Sequence, residues 1–189
     1  TGNVLEEYKR QASSINIEVN ELGTEYSNDC IEKCNEAGLN VIFGNLQTIV
    51  EKKIKFDVII LSHVFEHFTN LDEEINRIKK LMFENSLLYI ECPGVFSIHK
   101  KPYYDFNYPG YHVHAHMYNF TKNTLENVLG KKGLKSIYSN NNIELVLKNG
   151  ISSIIANDYS KILNYLDILN DNTQFRNQTL TKLELMIEY

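Results

Sequence analysis

The chain has 189 residues, of which 43% are hydrophobic, and a formal net charge of -5. That is material for one domain with a packed core and room for a helical appendage. The acidic balance gives no electrostatic reason for a nucleic acid or an anionic membrane as partner, and no apolar run is long enough to span a bilayer or to act as an export signal.

In chain order, residues 3–13 predict a helix, with Val4, Leu5, Tyr8 and Ala12 on one face. Ile15, Ile17 and Val19 alternate with polar residues and predict a strand ending near Gly23-Thr24, with Glu25 directly after it. Ser27 is a good N-cap and Gly38 a good C′ residue for the helix that follows. Cys30 and Cys34 lie within that helix and read as small core residues. With Cys92 they make an odd count without framework spacing, which fits a reducing, cytoplasmic setting. Val41 to Phe43 is a brief strand, closed by Gly44-Asn45.

The run from Phe56 to His67 organises the rest. Val58 to Leu61 is short, unbroken and β-branched, as in a parallel strand buried on both faces. It stops at Ser62-His63 and passes into a helical turn through Glu66-His67. Ligands of open α/β sheets sit beyond the carboxyl ends of the strands, which is where Ser62, His63, Glu66 and His67 fall. Glu66 reads equally as a site carboxylate or as an acid placed on a helix dipole. Asp57, at the start of the strand, reads as structural.

Asn70 and Glu73 suggest a capping box for a helix reaching Phe83, with Leu71, Ile75, Ile78 and Met82 at helical spacing. Ser86 to Cys92 predicts another apolar strand, stopped by Pro93-Gly94. Residues 95–118 are rich in Tyr, His, Pro and Gly without a period, and a long irregular segment inside a domain points to function. Thr121 caps a helix that ends at Gly133. Lys135–Ser139 and Ile143–Leu147 predict strands joined through Asn140-Asn141-Asn142 as a hairpin. From Ser152 onward two helices are expected. Strands alternating with helices imply a doubly wound, mostly parallel α/β sheet ending in an antiparallel hairpin.

This order, with these residues at strand ends, resembles the class I S-adenosylmethionine-dependent methyltransferases. The quoted stretches are Glu21-Leu22-Gly23-Thr24-Glu25, Phe56-Asp57-Val58-Ile59-Ile60 through His63-Val64-Phe65-Glu66-His67, Tyr89-Ile90-Glu91-Cys92-Pro93-Gly94 and Gly133-Leu134-Lys135. The resemblance covers residues 1–148 and implies a Rossmann-like domain over 1–150 with a helical extension over 151–189. It implies S-adenosylmethionine as cofactor, with Glu25 on the ribose hydroxyls and Tyr26 against the adenine. Asn45, followed by Leu46, would accept from the adenine amine, and Ser62 and His63 would lie near the cofactor. Gly2 matches the last glycine of the family's Gly-x-Gly-Thr-Gly loop. The expectation is therefore of a chain that starts inside that loop and lacks the family's first strand.

Tyr111-His112-Val113-His114-Ala115-His116 sets three histidines at period two, on one face if extended. The spacing suits metal ligands, but a polar lining of an acceptor pocket is preferred and no metal is assigned. His114-Ala115-His116 followed by Phe120-Thr121 is similar to part of a Tyr-His-Glu-His run in some sugar C-methyltransferases, whose last histidine is a general base. That implies His116, with His114 and His63, as the catalytic set. An imidazole with an ordinary pKa of about 6.5 keeps a neutral fraction at cellular pH. Tyr103, Tyr104, Asp105 and Tyr108 are candidates for acceptor binding. The expected activity is methyl transfer to a small polar acceptor such as a sugar or sugar nucleotide. The alternatives are a methyltransferase-like binding module without catalysis, a metalloenzyme built on His112, His114 and His116, and a nicotinamide-dependent Rossmann enzyme. The last is disfavoured by the terminal hairpin.

Overall fold

The computed structural model describes residues 2–100 and 116–187, with side chains to residue 174 in the last helix. The elements are α1 (Asn3–Ser14), β1 (Gly23–Glu25), α2 (Asn28–Glu36), β2 (Val41–Phe43), α3 (Leu46–Glu51), β3 (Phe56–Ser62), a 3-10 turn (Phe65–His67), α4 (Leu71–Lys80), β4 (Met82–Glu91), a second 3-10 segment (Val95–Lys100), α5 (Lys122–Lys131), β5 (Leu134–Ser139), β6 (Glu144–Asn149) and α6 (Tyr159–Ile187). They fall into two compact units, one of Thr1–Phe56 with Asp72–Phe83 and one of Asp57–Leu71 with Glu84–Tyr189. No helix among the described residues is long and apolar enough to cross a membrane.

In the first unit β1 and β2 pair in parallel, with Gly23, Thr24 and Glu25 opposite Val41, Ile42 and Phe43. Cys34, Leu39 and Val41 form a core cluster joined by Leu5 and Ile31. None of the three cysteines is in a disulfide, and Cys34 and Cys92 are buried. The strand expected at Ile15–Val19 is absent from these described residues. Those two isoleucines are exposed, at 65% and 53%, and β-branched alternation without a partner strand gives no ladder. Gly2 is dictated by packing: it sits at φ 76, and a Cβ there would lie 2.8 Å from Cys34 Sγ. In α4, Ile75 and Ile78 are fully buried, while acids occupy its first turn and bases its last, as the helix dipole favours. The helix stops at Lys80 rather than at the expected Phe83. Leu81 N closes it onto Arg77 O and Ile78 O, and Met82 starts β4 four residues before the expected Ser86.

In the second unit the strand order is β3-β4-β6-β5. β3 and β4 run the same way, since Phe56 N donates to Leu81 O at their starts and His63 N to Glu91 O at their ends. The hairpin β5–β6 is antiparallel, as expected, and β6 pairs antiparallel with β4, setting Leu88 opposite Leu147 and Ile90 opposite Leu145. These four side chains are fully buried with Leu125, Leu129 and Leu134. Each such burial is worth about 1.5–3 kcal/mol. Asn140 builds the hairpin turn: its Oδ1 accepts from Asn142 N and Glu144 N, and its Nδ2 donates to Glu144 Oε2. Ile143 follows at φ 64, a costly conformation for a β-branched residue. It is held there by burial and by the bond from Cys92 N to its carbonyl. Among the described residues β1 and β3 each keep one edge unpaired.

Thr121 caps α5 in a capping box with Thr124. Its hydroxyl also donates to the buried Asp158 at 2.9 Å, and Asn123 and Asn127 tie the segment before α6 to the same helix. Thr121→Val removes the cap and deprives Asp158 of a donor, so the expected loss is about 2–3 kcal/mol by urea denaturation. A loss below about 0.5 kcal/mol would assign the strap no part in stability. In place of the two helices expected after Ser152, α6 is a single helix, whose sequence holds neither Gly nor Pro. Tyr165, Leu166 and Leu169 on it pack around Ile98.

Candidate functional site

Parallel pairing brings the carboxyl ends of β1 and β2 together. Glu25 and Phe43 are register partners, and Gly44 N donates to Glu25 O at 3.2 Å. The Glu25 carboxylate is fixed by its own loop: Oε1 accepts from Tyr26 N at 2.7 Å and Ser27 N at 3.2 Å. Its Oε2 has no partner among the described residues, so an oriented acceptor remains for a hydroxyl pair. Tyr26 and Phe43 are mostly exposed and meet edge to face, with centroids 5.9 Å apart. Exposed aromatic surface at the end of a strand pair suits a planar ring. Gly44, at φ 142, lies tight on Thr48, whose side chain a Cβ would overlap.

Asn45 caps a helix. Its carbonyl accepts from Gln47 N at 3.0 Å and Thr48 N at 3.2 Å, closing a capping box at the start of α3. Both lone pairs are engaged there, and its amide donors are what it has left to offer a ligand. Leu46 is the half-buried first residue of that helix. The Asn-x-x-Thr signal for α3 stood in the sequence.

The second unit gathers the other polar groups at the ends of β3 and β4. Ser62 Oγ donates to Glu91 Oε2 at 2.9 Å. His63 turns the chain at φ 53, a backbone region rare outside glycine and common at sites under functional constraint. The 3-10 turn then buries Phe65 against Phe68 and Phe120. That anchors Glu66, whose side chain is 1% exposed. Backbone bonds from Met117 N and Tyr118 N to Glu66 O, at 2.9 and 3.2 Å, bring His116 alongside.

The result is one buried carboxylate among three imidazoles. Glu66 Oε1 lies 3.7 Å from His63 Nδ1, 3.8 Å from His67 Nε2 and 4.0 Å from His116 Nε2. The rings of His67 and His116 meet edge to face at 4.8 Å. Neither oxygen of Glu66 has a hydrogen-bond partner among the described residues. His63 Nε2 is also 3.6 Å from Glu91 Oε1. Burial first, and then the Glu66 carboxylate, push the Cys92 thiol well above the ordinary range. Burial, with Glu91 and Glu144 after it, pushes the Tyr89 phenol up to about 12. Both groups therefore stay protonated at neutral pH, and neither is a nucleophile there.

Of the sequence-predicted residues, Gly2, Glu25, Tyr26, Asn45 and Leu46 belong to the first unit, and Ser62, His63 and His116 to the second. His114, His112, Tyr103, Tyr104, Asp105 and Tyr108 lie outside the described residues. Sequence reasoning overlooked Glu91, although a carboxylate closing an apolar strand run was a usable signal.

A family model described as a methyltransferase domain matches residues 1–139. Among solved structures the chain is similar to the CMeT domain of the citrinin polyketide synthase, with TM-score 0.59 and 13% identity over 81% of this chain and 45% of that one. It is similar to the plantazolicin methyltransferase BpumL in complex with SAH, with TM-score 0.57 and 17% identity over 92% of this chain and 66% of that one. It is also similar to a possible histamine N-methyltransferase from Thermotoga maritima, with TM-score 0.50 and 16% identity over 76% of this chain and 71% of that one. The chain thus spans less than two thirds of the length of the first two, and identities this low establish a common fold. No curated protein matches the chain significantly.

Proposed function

The chain belongs to the methyltransferase-domain family, and from that premise we propose that it moves a methyl group from S-adenosylmethionine to a small polar acceptor, of the sugar or sugar-nucleotide kind. The cofactor supplies an electrophilic methyl on a sulfonium; the chain's own residues bind, orient and handle the proton. In the first unit Glu25, with one carboxylate oxygen pinned by backbone donors and the other open, fits a ribose diol. The aromatic faces of Tyr26 and Phe43 and the amide of Asn45 fit an adenine.

The observation that carries the chemistry is the buried Glu66 with its imidazole neighbours. Such a carboxylate orients the rings and stabilises whichever imidazolium forms when the acceptor proton leaves. His63 and His116 are the proposed pair of bases. Ser62 and Glu91 position His63 through their mutual hydrogen bond and the 3.6 Å approach of Glu91. Residues 1–150 form the proposed catalytic domain and 151–189 its helical extension.

The test is transfer of labelled methyl from S-adenosylmethionine to a panel of hydroxyl- and amine-bearing small molecules, sugar nucleotides among them. A histidine base requires that His63→Gln lower the rate by at least about a hundredfold with binding kept. Absence of any S-adenosylmethionine binding by calorimetry would overturn the reading. Binding with an unchanged rate in the His63→Gln and His116→Gln proteins would remove the histidine base and leave the cofactor assignment standing.

A further inference from the structure

A fully buried carboxylate needs positive charge or donors nearby, because desolvation of an ion costs several kcal/mol. Glu66 is 1% exposed, and neither of its oxygens has a hydrogen bond among the described residues. Its close neighbours are the Cys92 thiol and the imidazole nitrogens of His63, His67 and His116. Glu66, His67 and His116 each turn one ligand atom inward, and these three atoms lie within 4.8 Å of one another.

We propose that Glu66, His67 and His116 form a binding site for a divalent transition-metal cation of the zinc class. The donor set decides the class: two imidazoles and one carboxylate match zinc and its first-row neighbours, whereas magnesium and calcium prefer oxygen donors throughout. With bonds of about 2.0–2.1 Å, tetrahedral donors stand roughly 3.3–3.4 Å apart. The separations of 3.8 and 4.0 Å from Glu66 and the 4.8 Å span therefore close by roughly 0.5–1.5 Å on binding. His67 and His116 are not fully buried, at 39% and 16% exposure. Three protein ligands leave a coordination position open, the arrangement of zinc sites that accept a water or a substrate oxygen.

The site differs from the three-histidine set that the sequence suggested, sharing only His116 with it. It also narrows the choice of base. His116 cannot coordinate a cation through Nε2 and accept a proton there, so the loaded protein leaves proton removal to His63, while the cation lowers the pKa of a hydroxyl bound to it.

The experiment measures metal content and so stands apart from methyl transfer. The intact chain is dialysed against Zn²⁺, Mn²⁺ or Mg²⁺, then analysed for bound metal, and Co²⁺ loading is followed by visible absorption. The expected result is one Zn²⁺ per chain, with tetrahedral-type Co²⁺ bands and little Mg²⁺. His67→Gln and His116→Gln each weaken zinc by at least about tenfold, while His99→Gln, away from the cluster, leaves it unchanged. The His67 side chain is 39% exposed, so its variant tests ligation at little cost to the fold. Zinc held equally well by the His67→Gln and His116→Gln proteins, or no zinc at all, overturns the proposal, whatever the methyl-transfer assay shows.

Discussion

Glu66→Met is expected to lower methyl transfer by at least about a hundredfold while leaving the fold as stable as before, or more so. The reasons for the two halves differ. A positioned acid–base group contributes about 10²–10⁴ in rate, and Glu66 is the carboxylate that lies 3.7–4.0 Å from His63, His67 and His116. Methionine is close to glutamate in volume, and exchanging a buried charge for an apolar side chain is often neutral or stabilising. The cost of burying an unbonded carboxylate disappears with it. Urea denaturation and label transfer on the same preparation read both halves. Stability lost by several kcal/mol, with activity per folded molecule unchanged, would make Glu66 a structural residue and sink its part in the chemistry.

Glu25→Ala is the second large effect. A hydrogen bond to a charged group contributes about 1.5–3 kcal/mol, so the dissociation constant for S-adenosylhomocysteine should rise by about 10–100-fold. The KM for S-adenosylmethionine should rise with it while kcat changes little, the pattern of an interaction made equally in ground and transition states. Stability should move by less than about 0.5 kcal/mol, because Glu25 is only half-buried and its two internal bonds lie within one short loop. An unchanged dissociation constant would remove the ribose role from Glu25.

Elements with a strong local signature were legible in the sequence. The apolar run of β3, the caps at Ser27 and Thr121 and the asparagine turn of the hairpin all stand where their chemistry put them. Elements decided by tertiary pairing were not. Gly-Thr-Glu has little strand propensity, yet it is β1 because β2 lies beside it, whereas the better-patterned Ile15–Val19 has no neighbour. Met82 continued the helical period of Ile75 and Ile78, and only the turn at Leu81 shows that it opens β4. Helix α3 is six residues long, too short for a period to show.

The site was half legible for the same reason. Ser62, His63, Glu66 and His67 are adjacent in sequence and follow from the position of β3. The approach of His116 depends on Met117 and Tyr118 bonding to the Glu66 carbonyl, fifty residues away in the chain, and no local pattern encodes that.

One margin of β3, Phe56 to Ser62, has no strand partner among the described residues, and Asp57 is the one charge along it. Wherever such a margin is uncovered it is a template for the growth of a sheet from chain to chain. Asp57, at the opposite end of the strand from Ser62, is placed to act there as a gatekeeper: it sets like charges against each other where two copies align, and favours dispersal over self-assembly.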